Sequence, residues 1–295
     1  MDPDITLFAR VVEAGSLSAA GRAIGISPAM VSKRIARLEA RIGARLLHRT
    51  TRQLSPTARG ERFYHDVCAI LIAMADAEAR AADRTIAPSG PLLVSAPTSF
   101  GRLHIAPHVT AFLERFPAIA LELNLSDDFV DIGREGLDLA IRIAPGIAAT
   151  LGAVRLADSR RVLCAAPAYL QARGLPRSLS DLAEHRLLAA AGQTPWRLVG
   201  PDGPVDVDAI SHVRTNSSEL VRELALSGGG IALRSLWDVG DQLADGRLLR
   251  VLPDHEGLDV GIYAVHGRGP LSSGARAFIA WLQECFSPSP PWHSG

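Results

Sequence analysis

The residues of this chain best suited to chemistry cluster near its start. Lys33, Arg34, Arg37 and Arg41 are followed by Arg45, Arg49 and Arg52, so that Ser27 to Arg52 holds seven basic residues against one acid, Glu39. Interleaved with them are the small or hydroxyl-bearing side chains Ser27, Ala29, Ser32, Thr50 and Thr51. Guanidinium and ammonium groups bind phosphate through charge-assisted hydrogen bonds, and small neighbours let a backbone approach closely. The chemistry implied is the binding of a polyanion, with Arg34, Arg37, Arg41, Arg49 and Arg52 as phosphate contacts. A basic run can also be no more than solvated surface, so the elements that carry it decide between the two.

Ser27 can cap a helix, and Pro28 suits its first turn. Val31, Ile35, Leu38 and Ile42 then recur at helical spacing and are expected to be buried. At roughly 100° per residue the opposite side carries Ala29, Lys33, Ala36 and Ala40, with Arg37 beside it. Upstream, Ser16 or Ser18 can start a shorter helix to Ile24, and Gly25-Ile26 makes a tight turn, which together give a helix-turn-helix. Residues 46–54 have apolar ends and a basic middle, as in a short hairpin or wing. These three features favour a nucleic-acid surface over a merely solvated one.

From about residue 57 to 84 a long helix is expected, with Phe63, Val67, Ile70, Met74, Ala77 and Ala81 in an uninterrupted heptad seam. A second copy of the same helix is the favoured partner, giving a dimer, although packing within the chain is an alternative. Ala87-Pro88-Ser89-Gly90-Pro91 reads as a linker. Strands and helices alternate beyond it, the pattern of an α/β domain. Expected elements include a strand at 92–96, a helix from Thr98 or Ser99 to about Phe116, a helix at 127–135, a hairpin around Gly200-Pro201-Asp202-Gly203 and a strand at 212–215. Residues 288–295 read as a mobile proline-rich tail.

In open α/β sheets ligands bind beyond the carboxyl ends of strands, where helix N-termini present N–H groups. Thr98, Ser99 and Phe100 follow one strand, Asn216 and Ser217 another, Ser126 a third, and Arg142 could neutralise a carboxylate. Thr98, Ser99 and Ser217 could equally do no more than cap helices. Signs of catalysis are absent: the only lysine is Lys33, no Gly-x-Ser-x-Gly occurs, and His104 and His108 lack the glutamate of a zinc-protease helix. No metal and no cofactor is expected. Cys68, Cys164 and Cys285 are too scattered for a disulfide framework.

The formal net charge of zero conceals an asymmetry, because residues 1–60 carry ten basic and four acidic residues, or +6, and the remainder −6. Only the first fifth is suited to nucleic acid. With no signal peptide and no apolar run near the length of a membrane span, a cytoplasmic protein with no membrane association is expected.

The sequence Leu7-Phe8, Val12, Gly15-Ser16-Leu17, Ala19-Ala20, Leu38-Glu39, Gly43, Leu46-Leu47, Arg49-Thr50 and Leu54-Ser55-Pro56-Thr57 resembles the winged helix-turn-helix of LysR-type bacterial transcriptional regulators, and the similarity extends over almost the whole chain. It departs at Pro28-Ala29, where many members have a glutamine, and direct readout of bases then falls to Ser32, Lys33 and Arg34. The resemblance implies a winged helix-turn-helix at 1–57, a linker and dimerisation helix at 58–87, and an effector domain at 88–295. That domain would have periplasmic-binding-protein architecture, with one lobe at about 91–160 plus 267–287 and the other at 161–266. It further implies binding to double-stranded promoter DNA, an organic-acid effector between the lobes contacted by loops including those at Thr98 and Asn216, and pairing of dimers into a tetramer. A solute-binding module and an architectural DNA binder of low sequence preference are the alternatives.

Overall fold

A computed structural model of the chain describes residues 2–49, 54–81, 87–128, 132, 136–267 and 269–293. Contacts group them into two compact units. One is residues 1–92 with 116–121 and 270–276, and the other is the rest of the chain.

The first unit opens with α1 (Pro3–Ala14), α2 (Leu17–Ile24) and α3 (Pro28–Ile42). The side chains of Asp2, Ser16 and Ser27 accept the N–H groups of Asp4, Ala19 and Met30, which caps each helix at its start. Gly25 and Gly43 close α2 and α3 at φ 73°, a conformation glycine adopts without a Cβ penalty. Val31, Ile35 and Leu38 are fully buried against Leu7, Phe8 and Val11. Ile42, expected on the same stripe, is 40% exposed because it lies in the last turn, past the edge of that core. Leu46 and Leu47 cover the core there instead, drawn back by Glu39, whose Oε1 accepts both their N–H groups at 2.8 and 3.1 Å.

The wing is β1 (Leu47–Arg49) paired antiparallel with β2 (Leu54–Pro56). Its tip, with the expected contacts Thr50, Thr51 and Arg52, lies outside the described residues. Thr57 accepts the N–H of Gly60 at 3.0 Å and starts α4 (Ala58–Ala81). Gly60 sits where an added Cβ would overlap the Leu46 carbonyl. Gly60→Ala should therefore destabilise this unit by about 2 kcal/mol, measured as a lower denaturant midpoint at unchanged slope.

The heptad seam on α4 divides in two. Phe63 packs on Phe8 with ring centroids 5.4 Å apart, and Val67 is buried, so the first turns complete the unit's own core. Farther along, Ile70 and Met74 are 54% and 42% exposed, and Ala77 is exposed as well.

The second unit holds most of a sheet of order β4-β3-β5-β12-β6-β10-β7. Its strands are β3 (Gly90–Ala96), β4 (Ile119–Leu125), β5 (Leu139–Ala144), β6 (Gly152–Ala165), β7 (Leu187–Leu188), β10 (Ile231–Ser235) and β12 (Glu256–His266). β8 (Trp196–Gly200) and β9 (Gly203–Val207) form the expected hairpin, and β11 (Leu249–Arg250) pairs with β6. β5 pairs with the second half of β12 and β10 with the second half of β6. The long antiparallel pair β6–β12 thus runs through both halves of the domain and joins two lobes.

Helices cover the sheet. Thr98–Phe100 is one α-helical turn, α5, continued by a π turn over Gly101–Ile105 and by α6 (Ala106–Arg115). α7 (Pro167–Arg173), α8 (Ser218–Leu226) and α9 (Leu236–Ala244) belong to the second lobe, and α10 (Ser273–Cys285) follows β12. No strand forms at 212–215, which is bend and irregular chain beside a single bridge at Ser211. Asp127 and Asp128 form a bend rather than a helix, and of 129–135 only Ile132 is described. The tail is docked: Trp292 is 5% exposed, stacks edge-on to His104 and Phe286, and donates from Nε1 to the Asp158 carbonyl at 2.9 Å.

Candidate nucleic-acid interface and ligand cleft

On α3, Ser27, Pro28, Ala29 and Lys33 are exposed and Ser32 is partly so. Three of the five arginines expected to meet phosphate are held by acids at the start of α1 and just before it. Arg34 Nε donates to Asp4 at 2.6 Å, Arg37 donates to Asp4 from Nε and Nη2 at 2.8 and 2.5 Å, and Arg41 pairs with Asp2 at 2.7 Å. Arg34 keeps 23% of its side chain exposed and Arg37 70%. Arg37 thus remains presentable to a phosphate, while Arg34 is chiefly a structural link between α1 and α3. Asp4 was not foreseen because it lies 30 residues upstream of Arg34 and no local pattern marks it. Of Arg49, only the backbone at the end of β1 is described.

Burial alone would raise the Asp4 carboxyl, but hydrogen bonds from Arg34 and Arg37 outweigh it and hold it below its ordinary 3.8. The stabilisation is complete above pH 3.8 and is lost as the pH falls through the lowered folded-state value. Acid titration followed by circular dichroism should show a step beginning below about pH 4 that Asp4→Asn removes.

In the second unit, a cavity of about 560 Å³ opens between the lobes. Ser99, Ser126 and Arg142 line it, as expected for a ligand site. Thr98 does not; its backbone N–H is bound by Asp127, and Pro97, not Thr98 or Ser99, precedes the first turn. Phe100 is fully buried among His104, Trp237 and Phe286. Asn216 is exposed away from the lining, and Ser217 caps α8 by accepting the N–H of Leu220 at 3.2 Å. Its neighbour Ser218 faces the cavity in its place.

Four lining residues that sequence reasoning passed over set the electrostatics: Arg161, Arg197, Arg234 and Trp237. Arg197 lies between Trp196 and Leu198, Arg234 follows Leu233 and Arg161 precedes Val162, so no local pattern separates them from residues on the outer faces of their strands. Arg234 is 3% exposed and donates from Nε and Nη2 to Asp238 at 2.8 and 2.5 Å and from Nη1 to Ser218 Oγ at 2.9 Å. Arg222 Nη1 lies 3.6 Å from the other oxygen of Asp238. Among the described residues Arg161 has no such acid: burial, aided by the nearby charge of Arg234, lowers it from 12.5 to about 10. The Ser99 hydroxyl and the Trp237 indole N–H are buried without a hydrogen-bond partner among the described residues. A cation deprived of solvent beside unfilled polar groups is an arrangement completed by an anion that can also hydrogen-bond.

His104 Nε2 lies 2.7 Å from the Trp237 carbonyl, and burial lowers its pKa below 6.5, as suits a neutral donor. Cys164 is buried, and its thiol is pushed up to about 12, chiefly by burial. It is a thiol rather than a thiolate at neutral pH. Among the described residues no group of three or more His, Cys, Asp or Glu could hold a metal, and no helix is long and apolar enough to cross a membrane.

A capped basic helix beside a wing, together with a two-lobed domain that holds a guanidinium-lined cleft, defines a DNA-binding transcriptional regulator with an effector-binding domain. Residues 3–61 match the model for bacterial regulatory helix-turn-helix proteins of the lysR family, and residues 86–287 match the LysR substrate binding domain. The chain belongs to the LysR family of bacterial transcriptional regulators. It is 35% identical over 289 residues to the regulator DmlR of Escherichia coli K12, covering 96% of this chain and 94% of that one. CrgA of Neisseria meningitidis is similar in structure, with a TM-score of 0.62 at 31% identity over 96% of this chain and 98% of its own. AphB of Vibrio cholerae gives a TM-score of 0.59 at 29% identity, covering 95% and 97%. These relatives are regulators, and the chain is a regulator rather than an enzyme.

Proposed function

We propose that this regulator senses a small organic acid bound between its lobes and transmits occupancy to operator DNA held by α3 and the wing. The observation that carries the effector class is Arg161, a mostly buried guanidinium in a cleft with a Ser99 hydroxyl and a Trp237 N–H that have no partner among the described residues. Ser126 and Arg142 complete the acid's surroundings. The functional division is residues 1–57 for DNA, 58–87 for dimerisation and 88–295 for the effector. Ile70, Met74 and Ala77 on α4 form the exposed part of the seam that a second copy would cover, while Phe63 and Val67 support it from within. Two such dimers would make the tetramer, acting in the cytoplasm where promoter DNA is reached. A thermal-shift screen of mono- and dicarboxylic acids on the full chain tests the effector class. A concentration-dependent rise of a few degrees for at least one acid is expected, and none at millimolar concentrations would refute it.

On DNA, Ser32 and Lys33 would read bases, while Arg37, Arg41, Arg49 and Arg52 would fix register on phosphates, with Arg34 bracing the helix. Lys33→Ala should relax preference at one or two operator positions, costing about 1–3 kcal/mol there. Arg37→Ala should weaken binding to every sequence and lower the salt slope by about one. Gel shifts on specific and random duplexes at several salt concentrations measure both, and equal loss on both duplexes for Lys33→Ala would contradict its assignment.

A further inference from the structure

Asp127 follows β4 at the mouth of the cleft, and its two oxygens serve different lobes. Oδ1 accepts the N–H of Thr98 at 2.9 Å within its own lobe, and Oδ2 accepts the N–H of Ser218 at 3.2 Å, the first residue of α8 in the other lobe. A second contact joins the same two lobes: Arg102, in the π turn that continues α5, pairs with Glu219 of α8 at 2.6 Å. Asp127 is also the one carboxylate among the described residues that line the cavity, facing arginines 142, 161, 197 and 234. Ser218, gripped by Asp127 through its backbone, uses its hydroxyl to accept Arg234 Nη1 at 2.9 Å and Gln193 Nε2 at 3.1 Å. One residue therefore links the lobe contact to the groups that face a ligand.

We infer that Asp127 is a carboxylate latch that holds the two lobes together across the mouth of the cleft and that an anionic effector works against. Two features support a latch over an incidental contact. Asp127 spans the cleft with both oxygens engaged, and its charge has the same sign as the ligand expected in the cavity. An acid anion entering the cleft raises the energy of that like charge and takes over its role of balancing the guanidiniums. Both contacts at the mouth are exposed to solvent, so each is weak and readily made or broken, while the buried contact of Phe100 and His104 with Trp237 joins the lobes independently of them. Ligand entry can then shift the balance between lobe positions, which a tightly locked pair could not do.

The ligand side of this inference rests on the cleft being the effector site; the latch itself does not. Amide hydrogen exchange on the ligand-free full chain reads the latch directly. Asp127→Ala should speed exchange in residues 97–103 and 216–224 by roughly five- to tenfold, and Arg102→Ala should do so to a smaller degree. Exchange in β10, inside the second lobe, should not change. Equal rates in residues 97–103 and 216–224 for Asp127→Ala and the unaltered chain would overturn the latch. Asp127→Asn keeps the shape while removing the charge, and succinate serves as the probe for the ligand side. Its dissociation constant should fall about three- to tenfold in Asp127→Asn, whereas an unchanged or weaker constant would overturn the opposition between latch and ligand. If succinate and the wider acid panel bind neither protein, the organic-acid reading fails and exchange alone decides the latch.

Discussion

Replacing Asp238 with alanine should unfold the second lobe well below the melting temperature of the unaltered chain, at a cost of about 3–5 kcal/mol. The Asp238 side chain is fully buried, and it stands between Arg234, 3% exposed, and Arg222, 7% exposed. Bringing three ionised groups out of water is expensive, and it is tolerated here because the carboxylate meets a two-pronged guanidinium at 2.8 and 2.5 Å. Without it, Arg234 is left buried with no carboxylate partner and faces Arg222, which keeps Glu219 and Glu223. Asp238→Asn should cost less, because the amide oxygen still accepts a hydrogen bond. The measurement is a pair of denaturant curves on the full chain, following Trp237 and Trp196 of this lobe by fluorescence. A loss under 1 kcal/mol for Asp238→Ala would mean that the pair contributes little and that water reaches it.

Arg161→Met is expected to have the opposite stability sign from Asp238→Ala while abolishing ligand binding. Arg161 is a mostly buried cation whose charge is opposed both by burial and by Arg234. Its ionised form therefore raises the energy of the empty protein. Methionine fills much the same volume without a charge, so the empty chain should be equally stable or more so by about 1 kcal/mol. Acid binding should fall by about a hundredfold, since a desolvated charge pair between ligand and protein is lost. Calorimetric titration with whichever acid the screen identifies gives the binding ratio, and thermal unfolding gives the stability. A variant that binds the acid normally would remove Arg161 from the site.

Much of the DNA-binding unit was legible because its signals are local. Ser27 three residues before Met30, Gly25 and Gly43 at helix ends, and a 3.6-residue apolar stripe each specify structure within a few positions. Asp4 was not legible, because its partners lie 30 and 33 residues away and nothing in the neighbourhood of either announces the other. The cleft was half legible for the same reason. Ser99, Ser126 and Arg142 follow from strand-end geometry, but Phe100 and Ser217 do not, because the chain entering a helix sends adjacent side chains to different sides. Phe100 turned to the ring cluster and Ser217 to its own helix end. Arg161 and Arg234 were hidden by their apolar strands, where tertiary packing alone decides which face looks into the cavity. The docked tail was read as mobile from its prolines, although Trp292 carries enough apolar area to hold it down.

The way β6 and β12 thread both lobes has a consequence for how such a protein diversifies. Recombination that imported one lobe from a relative would have to cut both strands in mid-ladder, for instance between Tyr263, which faces Arg155, and Val260, which faces Ser159. Each strand would then meet a foreign partner over half its length, with two register irregularities to match. New effector preferences in this lineage are more easily reached by exchanging single side chains at the cavity wall than by shuffling lobes. Crossovers that preserve function should instead fall at residues 87–89, just before β3, where no ladder is broken.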